Sequence, residues 1–471
     1  MITMQIPQSM LEQYHQARQI IDESENIKIY SHIDCDGICS GAILSTILDR
    51  QNKPHEIEFV NLDVLDDIDL DHELTIFSDL GSGQRVDTKA KDSQKIIILD
   101  HHPPLRDIDY KDNTDYTYLE INPLHHGIDG SYYVCGGGLC YFLAKEYGYS
   151  DLSWIGILSA IGDMQNTKSG HFEGLNKIIE QDAVDEGYLE VTRSDINIYG
   201  RNTRPLFVAL SYFSDVKLPI TNNTTETMAI LEELEIDEKH NRKKLNELTM
   251  EEKTRLYQKL VEMISKAVPG RYVKYIPQLI IGDSYTFIKE DEDTFLRDGS
   301  EFSTAMNACG RNHEEKIAME VLKGDRIEAL DELEAISKTH RYNLATSISK
   351  IAESDDTNII ELENLQYFDG TGIKPEIVGT VTGMILGYCN WKKPIIGFTQ
   401  TDEYGLKISL RCSRLLSYDG IHFGNMIREI ASEVGGTGGG HAMACGAYIP
   451  IDKKDEFINL FNERLAGKIT N

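Results

Sequence analysis

Three short apolar runs in the first hundred residues stop at the same kind of side chain. Ile27-Lys28-Ile29-Tyr30 leads into Ser31-His32-Ile33-Asp34-Cys35-Asp36-Gly37. Leu74-Thr75-Ile76-Phe77-Ser78 ends in Asp79, before the turn Leu80-Gly81-Ser82-Gly83, and Lys95-Ile96-Ile97-Ile98-Leu99 ends in Asp100-His101-His102-Pro103-Pro104. A fourth run, Trp154 to Gly162, has the length and apolarity of a buried helix and ends at Asp163. Short apolar runs separated by helical patterns read as strands of a mostly parallel sheet. Such sheets bind ligands outside the carboxyl ends of their strands, so this topology gathers Asp34, Asp36, Asp79, Asp100 and His101 at one edge. Any one of these residues alone would serve as a cap or turn. Their recurrence at successive strand ends points to a site for a hard or borderline divalent cation, which carboxylate and imidazole suit.

On those residues the chain resembles a known family. His32-x-Asp34-x-Asp36, Asp79, Asp100-His101-His102 and Asp163 resemble the four successive motifs of the DHH phosphoesterase superfamily. Gly438-Gly439-Gly440-His441, followed by Ala442-Met443-Ala444-Cys445-Gly446, resembles the signature of the associated C-terminal substrate-binding domain. Upstream, Ser409-Leu410-Arg411-Cys412-Ser413 resembles that domain's strand bearing an arginine and a serine. The mid-chain runs Arg297-Asp298-Gly299-Ser300-Glu301-Phe302 and Asn307-Ala308-Cys309-Gly310-Arg311 resemble archaeal RecJ-like exonucleases, the relatives associated with the GINS replication complex.

The expected fold is α/β in three parts. Residues 1–175 form a parallel-sheet DHH domain, 176–356 a helical or mixed middle region, and 357–471 a C-terminal α/β domain with a mixed sheet. Tyr132 to Tyr147 reads as a helix capped by Asp129-Gly130-Ser131, with Gly136-Gly137-Gly138 weakening its start. Those glycines serve close packing in one reading and phosphate binding in the other. Met250 to Val268 reads as a helix, and Asp325 to Glu353 as a long helix between the outer domains. Strands are expected at Ile359–Leu362, Pro394–Phe398 and Leu406–Leu410, and Gly435-Gly436 reads as loop.

Composition fits a cytoplasmic enzyme without a membrane span or signal peptide. The eight cysteines are scattered without a C-x-x-C pair, and read as small buried hydrophobes in a reducing compartment more readily than as a redox or soft-metal device. The net charge of −30 disfavours non-specific duplex binding and suits an enzyme that admits one strand end into a local channel. Basic residues gather at Arg201-Asn202-Thr203-Arg204, where they could meet phosphates, and at Lys239-His240-Asn241-Arg242-Lys243-Lys244, which reads equally as a solvated face.

The resemblance implies two divalent metal ions, Mn²⁺ preferred and Mg²⁺ possible, about 3.5–4 Å apart and clamping a phosphodiester. Asp79 would bridge them, one metal taking His32 and Asp34, the other Asp36, His101 and Asp163. His102 would meet the phosphate or leaving oxygen, with Asp100 orienting a histidine. Arg411, Ser413, Gly438, Gly439, Gly440 and His441 would bind phosphate. The implied activity is exonucleolytic removal of nucleotides from single-stranded DNA or RNA, 5′→3′ by resemblance to bacterial relatives, in replication or repair, with a GINS-like complex as a possible partner. Two other readings stay open: a replisome scaffold, as in a eukaryotic helicase subunit that shares the fold without the metal residues, and a phosphodiesterase of short oligonucleotides or cyclic dinucleotides.

Overall fold

The computed structural model describes residues 4–108, 116–236, 242–352, 358–401 and 405–469. They fall into two compact units, each built from two stretches of chain: residues 1–195 with 282–338, and 196–281 with 339–471. Among the described residues no helix is long and apolar enough to cross a membrane.

The first unit is organised by a five-stranded, all-parallel sheet in the order β2-β1-β3-β4-β5. Its strands are β1 (Ile27–His32), β2 (His55–Val60), β3 (Leu74–Ser78), β4 (Lys95–Leu99) and β5 (Thr117–Ile121). Strands β3 and β4 are buried along almost their whole length, as expected of central strands covered on both faces, whereas edge strand β2 alternates between half-buried and exposed positions. Helices α1 (Cys35–Arg50), α2 (Gly136–Glu146) and α3 (Ser153–Gly162) pack into one apolar core with β1, β3 and β4. A two-stranded sheet of β6 (Leu189–Ile196) and β7 (Ile281–Phe287) precedes helix α4 (Gly299–Gly310). Helix α4 inserts Phe302, Met306 and Cys309 into that same core. Its C-terminus comes so close to the β1–α1 loop that a Cβ on Gly310 would stand 1.8 Å from the Ile33 carbonyl oxygen.

The second unit carries a six-stranded mixed sheet in the order β12-β13-β11-β10-β9-β8. Its strands are β8 (Ile359–Glu361), β9 (Gln366–Asp369), β10 (Ile395–Gln400), β11 (Gly405–Arg411), β12 (Thr437–Gly440) and β13 (Ala444–Pro450), and only the β9–β10 pair is parallel. Helix α5 (Phe423–Glu433) covers β12 and β13. The helical stretch 196–281 belongs to this unit: Arg414 pairs with Asp215 at 2.6 Å, and Tyr272 packs edge-on to Trp391 at 5.8 Å.

The fold class is thus α/β, with a parallel N-terminal sheet, a helical middle and a mixed C-terminal sheet. Three local expectations shift. The helix expected from Tyr132 begins at Gly136, because the glycine amides are spent on a carboxylate described below. The long helix runs Glu328–Ala352, and Glu353 lies outside the described residues. Gly435 and Gly436 close helix α5 rather than forming a free loop: Gly435 has φ +79°, and the Gly436 amide donates to the Ala431 carbonyl at 2.7 Å.

The Gly310 contact predicts a stability effect. Gly310→Ala should destabilise the protein by about 1–3 kcal/mol, since neither backbone can yield cheaply. Gly270→Ala, where a Cβ meets nothing within 4 Å, should be near neutral. Calorimetric melting of both variants decides it; equal melting temperatures would mean that α4 does not clamp the loop.

Candidate metal centre

Strands β1, β3 and β4 and helix α3 each deliver ligand-type residues to the carboxyl edge by a different local device. Asp34 is the N-cap of α1, with Oδ1 accepting from the Gly37 amide at 3.0 Å, while Oδ2 faces His32 Nδ1 at 3.1 Å. The cap and ligand readings are therefore compatible: one oxygen caps and the other faces inward. Asp36 is buried, and its carboxylate accepts from the Gly136 and Gly137 amides at 2.8 and 2.7 Å and from the Ser159 hydroxyl. The N-terminus of α2 thereby supplies amide hydrogens and the positive end of a helix dipole to that carboxylate. Close packing also fixes the glycines: a Cβ on Gly136 would lie 2.7 Å from Asp79 Cβ, and one on Gly137 2.2 Å from Ser159 Oγ.

Asp79 follows β3 with φ +58°, in the left-handed region that a short polar side chain tolerates better than most. That turn places Oδ1 3.2 Å from His101 Nε2 and Oδ2 3.5 Å from His32 Nδ1. His101 Nδ1 lies 2.6 Å from the Gly130 carbonyl, which can only accept, so the proton sits on Nδ1 and Nε2 faces Asp79 and, at 3.4 Å, Asp36. Asp163 terminates α3; its Oδ2 accepts from Gln165 Nε2 at 2.9 Å and stands 3.8 Å from His101 Nδ1. Asp100 is buried, accepting from the Ser82 amide at 2.9 Å and standing 2.7 Å from His102 Nδ1. His102 is half exposed.

Three groups of ligand atoms result, each within 4.8 Å: His32 with Asp34 and Asp79; Asp36 with His101 and Asp163; and Asp79 with Asp100, His101 and His102. A divalent cation fits these residues. His32 Nδ1 and Asp79 Oδ1 are buried yet make no hydrogen bond, so the protein itself does not satisfy them. Burial opposes charge on His32 and His101, but the surrounding carboxylates outweigh it and hold both pKa values well above the usual imidazole range. Burial, then the Asp79 charge, pushes Asp36 well up. Asp34 is held far down: burial works against its charge, and His32, the Gly37 amide and Arg311 overcome it. No cysteine joins these groups among the described residues, and all eight are buried and free, with the Cys39, Cys135 and Cys140 thiols pushed well up by burial.

Several supporting residues lie outside the four DHH motifs. Asn122, fully buried after β5, donates to the His102 carbonyl at 2.8 Å and to Ser82 Oγ at 3.0 Å. Asn176 donates to Gln165 Oε1 at 2.5 Å, and Gln165 in turn holds Asp163. Asn307 Oδ1 accepts from the Cys35 amide at 3.0 Å, so α4 fixes the loop bearing Asp34 and Asp36. Of these, Asn307 opens the run Asn307 to Arg311 that already stood out in the sequence, Asn122 is signalled by the pair Asn122-Pro123 directly after a strand, and Asn176 has no such signal.

In the second unit, the residues expected to meet phosphate lie at one end of the mixed sheet. Arg411 pairs in register with Ala444, whose carbonyl accepts from the His441 amide at 2.9 Å. Arg411 donates to Ser409 Oγ at 3.1 Å and to the Leu410 carbonyl at 2.8 Å. Gly438, Gly439 and Gly440 form strand β12. Ser413 is fully buried and its Oγ accepts from the Leu415 amide at 3.2 Å, so that hydroxyl is engaged as a helix cap. Of the basic runs, Arg204 stacks on Tyr199 and Tyr212, and Lys243 pairs with Glu252 at 2.6 Å. Lys239, His240 and Asn241 lie outside the described residues.

The raised His32, His101 and Asp36 pKa values mean that the cation-free site holds protons which a cation must displace. Mn²⁺ affinity should therefore rise with pH, through and beyond the usual imidazole range, with net proton release visible by titration calorimetry in buffers of different ionisation enthalpy. Asp79→Asn should abolish that binding while leaving metal-free melting unchanged or higher, because one buried negative charge is removed. Binding without proton release would contradict the electrostatics described.

Comparison with known proteins bears on family. Residues 26–160 match the DHH family N-terminal domain, 198–277 the DHH-CID domain and 362–467 the DHHA1 domain. An uncharacterised protein of Methanocaldococcus jannaschii is 29% identical over 460 residues, covering 96% of each chain. CDC45 from Entamoeba histolytica shares the fold with a TM-score of 0.60 at 14% identity, over 98% of this chain and 99% of that one. RecJ from Thermus thermophilus, solved with Mn²⁺, does so with a TM-score of 0.58 at 13% identity; the alignment takes in 99% of this chain but only 56% of that longer one. In this order, and with the Asp/His groups at the sheet edge, the matches give this chain the DHH, DHH-CID and DHHA1 domains of DHH phosphoesterases.

Proposed function

We propose that this phosphoesterase is an exonuclease that removes nucleotides stepwise from single-stranded DNA or RNA, with 5′→3′ polarity, using two divalent cations of which Mn²⁺ is preferred. The observation that carries the reading is that Asp79 forms one cation-ready group with His32 and Asp34 and stands 3.2 Å from His101 Nε2 of the group that His101 forms with Asp36 and Asp163, with His102 beside them. His32, Asp34 and Asp79 would hold one cation, and Asp36, His101 and Asp163 the other, with Asp79 between them. When bound, such a pair neutralises charge on the phosphoryl group and activates water near neutral pH. Mixed imidazole and carboxylate donors favour manganese without excluding magnesium, and RecJ of Thermus thermophilus has been solved with each.

The chain's own residues do the rest. Asp100 Oδ1, 2.7 Å from His102 Nδ1, holds a proton on that nitrogen and orients the ring. Burial and the neighbouring His101 oppose charge on His102, but Asp100 and Asp79 outweigh them and raise its pKa. His102 Nε2 can therefore carry a second proton and give it to the leaving oxygen. Arg311, whose charge reaches Asp34, adds a cation on the same side of the first unit. Arg411 and Gly438 to His441 are the residues of the second unit that would hold substrate phosphate.

A replisome role is compatible with this activity. The fold shared with CDC45 supports a scaffold reading in which a GINS-like partner docks on the chain. Pure scaffolding, however, gives no reason to gather four aspartates around two histidines. Hydrolysis of dinucleotides or cyclic dinucleotides is the remaining alternative.

End-labelled single strands of DNA and RNA, incubated with Mn²⁺, should shorten one nucleotide at a time from the 5′ end. Asp79→Ala should reduce this to background, and His102→Gln should lower kcat by about 10²–10⁴ with little change in strand binding. Turnover confined to dinucleotides, or none at all from the metal-loaded protein, would sink the exonuclease reading.

A further inference from the structure

Strand β12 is an edge strand, so alternate amides along it have no sheet partner. Helix α5 abuts it closely: a Cβ on Gly424, in the first turn, would lie 1.9 Å from the Gly440 carbonyl oxygen. Gly440 itself has φ +123°, a conformation only glycine adopts readily, and this turns the chain into His441. One helical turn beyond Gly424, Arg428 lays its guanidinium on the glycine strand. Its Nη2, Nε and Cζ stand 3.4, 3.6 and 3.9 Å from the place a Gly439 Cβ would occupy.

Arg428 donates from Nη1 to Asn425 Oδ1 at 3.2 Å, and among the described residues no carboxylate pairs with it. Its neighbour Glu429 is taken by Arg464 at 3.3 Å. In a chain with 77 acidic and 47 basic residues, an exposed arginine left without a carboxylate and laid along a glycine strand is a cation held for another anion. His422, the N-cap of α5, lies in the same positive field: burial, then Arg428 and His441, lower its pKa. Gly439 is two residues from His441, at most about 7 Å of chain, within about one nucleotide step of an extended single strand.

We propose that Arg428 contacts a second internucleotide phosphate, one step beyond the phosphate held at Arg411 and His441, and so makes the second unit select strands over dinucleotides. This rests on the single-strand phosphodiesterase reading above. The glycine strand gives the backbone of a bound strand room to approach, and the planar guanidinium offers paired donors to phosphate oxygens.

The test is fluorescence anisotropy with a labelled strand of about 12 nucleotides and a labelled dinucleotide whose one phosphate is the internucleotide one, with Ca²⁺ replacing Mn²⁺ to prevent cleavage. Arg428→Ala should weaken strand binding roughly tenfold, as expected for one charge-assisted contact, and flatten the logarithmic salt slope by about 0.7. Dinucleotide affinity should stay within about twofold, since the contact it loses is one it never made. Arg428→Lys should recover part of the strand affinity, and circular dichroism should match wild type. Equal loss on both ligands, or loss on neither, overturns the assignment while leaving the exonuclease reading intact. A wild-type protein that binds the dinucleotide but no strand overturns both.

Discussion

Asp34, Asp36, Asp79 and Asp163 crowd around two imidazoles at one sheet edge, and their mutual repulsion is the constraint from which the architecture of the first unit follows. Two like charges within 4.8 Å cost about 3–4 kcal/mol per pair at an effective dielectric near 20, several times the net worth of an ordinary hydrogen bond. Something must offset that cost. The protein offsets part of it: the α2 amides and Ser159 serve Asp36, the Gly37 amide serves Asp34, and Gln165 serves Asp163. Asp79 receives least, with Oδ1 buried and making no hydrogen bond, and it is the carboxylate common to two of the ligand groups.

The surrounding packing then reads as support for that arrangement. Glycines at 136 and 137 let a helix terminus reach Asp36 at hydrogen-bond distance, and a left-handed turn at Asp79 aims its carboxylate between His32 and His101. Helix α4, distant in sequence, holds the first loop through Asn307 and Gly310. These are local sacrifices of stability for preorganisation, the pattern expected where strain accompanies a functional site.

Much of this was legible in the sequence for a physical reason. Buried parallel strands are continuous apolar runs, and a charged residue that ends one must be at the sheet edge, so His32, Asp79 and Asp100 to His102 could be placed without a structure. The N-cap of Asp34 and the helix ending at Asp163 follow from equally local rules. What periodicity could not reveal was the traffic between distant segments. Ser159 looks like one more small residue of an apolar helix, Asn176 like a helix start, and Gly136 to Gly138 like a weak nucleus. Their roles appear only when α2, α3 and the β1–α1 loop are side by side. Likewise Ser413 reads as a phosphate contact in sequence but is buried as a helix cap, and nothing in the pattern of α5 distinguishes Arg428 from a solvated arginine.

The central claim is that the Asp/His cluster holds two cations bridged by Asp79. Anomalous diffraction at the manganese edge from Mn²⁺-soaked crystals tests it most directly. The account predicts two peaks, one against His32 and Asp34 and the other against Asp36, His101 and Asp163, with the Asp79 carboxylate contacting both. A single peak, or none at saturating Mn²⁺ with His32 and Asp79 still facing each other, would contradict it.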